Sequence, residues 1–108
     1  MVSYDSSPAF EIIYAETALQ EPPTAAIVSD GSCFRQIEFV GILKGTQQRA
    51  LAEKFVDFML SLTFQEDMPL QMFVYPVNPN AKQPAEFDLY AQKPAQPAML
   101  TPAEIAAN

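Results

Sequence analysis

The stretch "CFRQIEFVGILKGTQQRALAEKFVDFMLS", residues 33–61, decides the fold class. Its first part alternates: Ile37, Phe39 and Leu43 share one face, and Gln36 and Glu38 the other, which is the period of a strand. The far end, "FVGIL", is apolar on both faces and predicts a strand running into a buried sheet. Gly41 marks a bend or a close backbone approach there. From Lys44 the period changes. Leu51, Phe55, Phe58, Met59 and Leu62 recur at helical spacing, with Glu53, Lys54 and Asp57 off the stripe. Thr46 is the expected cap and the stripe the expected core contact. A strand followed by a helix makes the chain α/β: a small mixed sheet with three or four helices.

Working outward toward the N-terminus, "MVSY" (1–4) reads as the stub of a strand and "SPAFEIIYAETAL" (7–19) as a helix of about three turns. Ser7 is the expected N-cap and Pro8 suits the first helical position. Glu21-Pro22-Pro23 ends that helix. "TAAIVSD" (24–30) reads as a short strand closed by the Asp30-Gly31 turn. In the other direction, Thr63 and Glu66 have capping-box spacing, and Pro69 is expected to close a second short helix. "MFVYPVNP" (72–79) reads as extended. A proline-rich tail follows, with one helical turn expected at "AEFDLYAQ". Thr101, Pro102 and Glu104 form a complete helix start. It leads into only about two turns, so the chain reads as cut inside its last helix.

The composition excludes several classes. The 108 residues suit one small domain, and 49% are hydrophobic, enough for a core. The net charge is −7, and no Lys/Arg cluster offers itself to nucleic acid or an anionic membrane. A cationic small molecule would be attracted. Histidine is absent, which removes the commonest general base and metal ligand. Ser6 and Ser7 therefore have no activating partner, and the carboxylates are scattered. Three glycines form no phosphate loop. The expectation is a non-enzyme with no metal site and no cofactor. Cys33, the only cysteine, makes no internal disulfide and reads as a buried small hydrophobe. No apolar run spans a bilayer, and no basic-then-apolar leader opens the chain, which reads as soluble and without an export address.

What remains is a set of aromatics near helix starts and strand ends. Tyr4 and Phe10, six residues apart, flank the first helix start. Phe73 and Tyr75 lie in "MFVYPV". Each is core, or part of a platform for a flat ligand. Tyr4 stands out, being polar-tipped and just before a helix start, where loops make sites.

The series "VSYDSSPAF", "DGSCFRQIEFVGILKGT", "LAEKFVDFMLS", "FQEDMPLQMFVYPVNP" and "TPAEIAA", in this order, resembles the C-terminal third of the thiamine-binding proteins of bacterial ABC importers. The likeness covers essentially the whole chain. Ferric-ion-binding proteins are more distant relatives, and their adjacent tyrosines have no counterpart here. The resemblance implies a two-lobed, flytrap-like α/β fold that closes on its ligand and then docks on a membrane permease. It also implies a periplasmic or extracytoplasmic location. Residues 1–108 would be one segment holding pieces of both lobes. The strand at 34–43 would cross between lobes, and the helix at 47–62 would pack on the other lobe.

The family's two aromatics fall on Tyr4 and Phe10, and a third falls on Phe73. With Ser7 these are the ligand-binding candidates. A family member carries tyrosine at the second position and tryptophan at the third. Phenylalanine at both keeps a flat face and drops a hydroxyl and an indole N–H. Thiamine, the expected transported ligand, is a flat aromatic cation, and aromatic faces attract such a cation by about 1–2 kcal/mol each when desolvated. The competing expectation is a non-binding, self-associating domain. Either way a homo-oligomer is expected, because the wide stripe of the 47–62 helix needs a partner surface.

Overall fold

A computed structural model describes residues 2–107. Its six helices are α1 (Ser7–Ile13), α2 (Arg49–Met59), α3 (Leu62–Gln65), α4 (Met68–Met72), α5 (Ala85–Tyr90) and α6 (Pro102–Ala106). No strand forms among the described residues. A single parallel bridge, Phe34 to Ala98, is the only β pairing among them. The expected small mixed sheet is therefore corrected: the chain is helical with long irregular connections. A strand needs a neighbour for every second N–H and C=O. Beyond the Phe34 bridge, residues 35–43 find none, and Phe39 stands 88% exposed. The alternation read from Ile37, Phe39 and Leu43 is real as a pattern, but no layer covers either face.

The core is small. Ala9 of α1 and Phe87 and Ala91 of the α5 region are its buried hydrophobics, with Ile13, Tyr75 and Tyr90 packed against them. The chain exposes 8598 Å², whereas a compact protein of this mass exposes roughly 6,000 Å². Its radius of gyration is 16.9 Å, against about 13 Å for a compact chain of this length. Many of the exposed large hydrophobics lie on α2 and on 34–43. Leu51, Phe55, Phe58 and Leu62 are all exposed and Met59 is half-buried, so the stripe does not enter the core as expected. α2 turns Ala52, Val56 and Met59 inward instead.

Several local expectations shift. α1 ends at Ile13, well short of Leu19, because little beyond Tyr14 packs on anything and short helices need tertiary contact. Ser6, not Ser7, occupies the N-cap. Thr46 Oγ1 accepts from Gln48 N–H just ahead of α2 (3.2 Å), where Gln48 holds the cap position. The Thr63–Glu66 box does not form: Ser61 caps α3, and Glu66 accepts the Lys82 N–H at 3.1 Å. Pro69 opens α4 rather than closing a helix, since a first-turn residue needs no N–H partner. Cys33 is half-buried. The Thr101–Glu104 capping box forms as the spacing predicts, and its hydrogen bonds hold the Glu104 carboxyl below the usual range.

Gln65 ties the halves of the chain together. It is buried, donates to Met59 O (2.8 Å) and accepts from Val77 N–H (2.7 Å) and Asn78 N–H (3.3 Å). "YPVNP" is thereby anchored to the end of α2.

Candidate functional site

Residues 3–14 and 70–75 meet through side-chain hydroxyls. Ser6 Oγ donates to Phe73 O at 2.6 Å, and Tyr14 Oη donates to Leu70 O at 2.8 Å. Tyr75 Oη reaches Asp5 Oδ2 at 3.2 Å and Ala91 O at 3.0 Å. These bonds clamp the start and end of α1 on the end of α4 and the segment after it.

The clamp brings two of the candidate aromatics together. The Phe10 and Phe73 rings meet edge to face, with centroids 4.2 Å apart. Tyr14 also lies tilted against Phe10, with centroids 4.6 Å apart. Tyr4 is half-exposed, and no ring contact joins it to this cluster among the described residues. Ser7 donates its N–H to Tyr4 O (3.1 Å), and its hydroxyl pairs with that of Ser3 (2.7 Å). Tyr14, which the sequence places inside the helix expected at 7–19, is the added member. Its signal was present, since it follows Phe10 by one helical turn.

A second aromatic position lies beside this one. Lys93 Nζ sits 4.0 Å from the centre of the Tyr75 ring, and Phe87 meets that ring edge-on at 6.0 Å. Here the chain supplies its own cation to an aromatic face. Lys93 also lines an open groove of about 500 Å³ with Pro76, Asn78, Lys82 and Asp88. A second groove of about 470 Å³ lies between 40–46 and α2. Neither groove is lined by Tyr4, Ser7, Phe10 or Phe73. Among the described residues no group of three or more His, Cys, Asp or Glu gathers to hold a metal.

Burial, then the Asp5 charge and its hydrogen bond, push the Tyr75 phenol well above the ordinary tyrosine range. The folded chain thus holds this proton more tightly than the unfolded one. The contribution to stability is full below about pH 10 and is lost as pH climbs from there toward the folded value. Melting curves of the wild type should fall more steeply above about pH 10 than those of Tyr75→Phe, which has no proton to lose. Parallel curves would exclude this role for the phenol.

Along its whole length the chain is homologous to periplasmic ligand-binding proteins. They are thiamine-binding periplasmic proteins: that of Escherichia coli K12 is 36% identical over 108 residues, that of Salmonella typhimurium LT2 also 36%, and that of Brucella suis biovar 1 29% over 109. The alignments cover 100% of this chain and 31% of each relative, so the chain spans about a third of their length. The motif series in the sequence resembles the same proteins. No protein-family model matches the chain, and no solved structure matches it significantly.

Proposed function

We propose that this chain is the ligand-binding C-terminal segment of a thiamine-type solute-binding protein that serves an ABC importer in the periplasm. Thiamine is its transported ligand, not a cofactor, and the segment performs no catalysis. The observation that carries this reading is the unbroken similarity to thiamine-binding periplasmic proteins. The meeting of Phe10 and Phe73, 63 positions apart in sequence, adds physical support. Tyr4, Ser7, Phe10 and Phe73 contact the ligand. Aromatic faces attract its ring-borne charge, and a net charge of −7 steers it in. In the whole protein the segment contributes to both lobes, which close on thiamine before docking on a permease.

Titrating isotopically labelled chain with thiamine tests the site. The resonances of Tyr4, Ser7, Phe10 and Phe73 should move, while Phe55 and Phe58 stay. Movement confined to the α2 face overturns the assignment. In the whole protein, where the other lobe closes over the ligand, Tyr4→Ala should weaken binding by about 1–2 kcal/mol, and with little effect on folding, since Tyr4 is half-exposed here. Phe10→Ala should weaken both, because its ring also packs on Phe73 and Tyr14.

The exposed α2 stripe favours a second reading, in which the chain self-associates without a ligand. The whole chain exposes roughly 2,600 Å² more than a compact protein of its mass, and the apolar residues of the stripe are part of that exposed surface. Light scattering of the chain should report a homodimer or larger. A monomer at high concentration counts against association, and Phe55→Glu should shift any oligomer toward monomer.

A further inference from the structure

We propose that Ser6 is a positioning residue: by holding the Phe73 backbone in a left-handed conformation, it aims the Phe73 ring at Phe10 to complete the aromatic face. The inference rests on the ligand-binding reading above and assigns that site a residue outside its contact set. Ser6 is fully buried and stands at the N-cap of α1. A serine there normally turns its hydroxyl inward to accept a first-turn N–H. Ser6 makes no such bond, and its own backbone is helical (φ −79°, ψ −8°) rather than extended. Its hydroxyl instead donates to Phe73 O at 2.6 Å, across 67 positions of sequence.

The acceptor is the unusual residue. Phe73 has φ 60° and is the single non-glycine with positive φ among the described residues. A bulky side chain is strained in that region and remains there only when its surroundings dictate it. The strain has a geometric consequence. Phe73 is the C-cap of α4, and its left-handed turn sets the direction of its Cα–Cβ bond. In the helical or extended region that bond would point elsewhere, and the edge-to-face contact at 4.2 Å could not form. Tyr14, bonded to Leu70 O, holds the preceding turn of α4, so the Ser6 bond acts at the one position where the ring leaves the backbone.

The test is the NMR signature of the ring pair in the ligand-free chain, read beside thiamine titrations. Wild type should show ring-current-shifted Phe10 resonances and Phe10–Phe73 cross-relaxation. Ser6→Ala should lose both while circular dichroism keeps its helical signal, and Ser6→Thr, which retains the hydroxyl, should restore both. Thiamine affinity should drop about tenfold in Ser6→Ala, the scale of one well-made hydrogen bond, and stay within about twofold in Ser6→Thr. A folded Ser6→Ala chain with an intact ring pair overturns the proposal. If Ser6→Ala does not fold, Ser6→Cys, near in size with a weaker donor, is read the same way. Unfolding of both also overturns it, because Ser6 is then needed for the fold and not specifically for the ring. If wild type shows no thiamine-dependent shifts even with thiamine well above millimolar, the ligand reading fails, while the ring-pair readout still decides the role of Ser6.

Discussion

Phe87→Ala is expected to abolish the folded state of this chain. Phe87 is 1% exposed and is the largest fully buried side chain. It joins α5 to Ala9 of α1 and meets the Tyr75 ring in a T-shaped contact. Truncating a buried phenylalanine costs about 3–5 kcal/mol. A small domain has only about 5–15 kcal/mol in total, and a chain with three buried hydrophobics among its described residues stands at or below the low end. Circular dichroism and amide dispersion should both collapse. Phe55→Ala is the matched control: its ring is exposed, and the change should stay within about 0.5 kcal/mol. A cooperatively folded Phe87→Ala chain would mean that the α1–α5 contact is not what holds the molecule together.

The second large effect is on affinity. The chain alone should bind thiamine no tighter than about millimolar, which is about 4 kcal/mol of binding free energy. Sites for small molecules bury about 70–90% of the ligand surface. Here Tyr4 stands half in water, and the two grooves are open and lie away from the candidate aromatics. The attraction of an aromatic face for a cation weakens where water competes. Immobilising the ligand costs the same whether one wall or two surround it. Calorimetry at low salt decides the matter. Micromolar binding would mean that the chain builds a complete site, with a second copy supplying the opposite wall.

Part of this was legible in the residues. The 3.6-residue period of Leu51, Phe55 and Phe58 marked α2, and "TPAE" marked the start of α6 down to its reciprocal cap. "AEFDLY" was visible as a helical turn. The series of motifs pointed to the thiamine-binding proteins that the comparison returned. These features share a physical cause. A helix closes its hydrogen bonds within four residues, and a capping box within three, so the partners are neighbours in the sequence. Similarity, too, is read position by position.

What the tertiary structure alone decided involves distant partners. The alternation at 34–43 states which faces a strand would have, but a ladder needs a second chain segment, and beyond the single bridge at Phe34 none pairs with it here. The helical stripe of α2 identifies an apolar face without saying what covers it. Ser7 was the expected helix cap, yet Ser6 takes that position and its hydroxyl goes to Phe73. Nothing local dictates a left-handed phenylalanine, and none of the neighbours of Tyr75 foretells Asp5 or Lys93 around it. Residues on either side of Ser-Pro and in "MFVYPV" could be recognised as candidates one at a time. That Phe10 meets Phe73 while Tyr4 stays apart follows from the path of the backbone, because the contact is made in space between segments that the sequence keeps far apart.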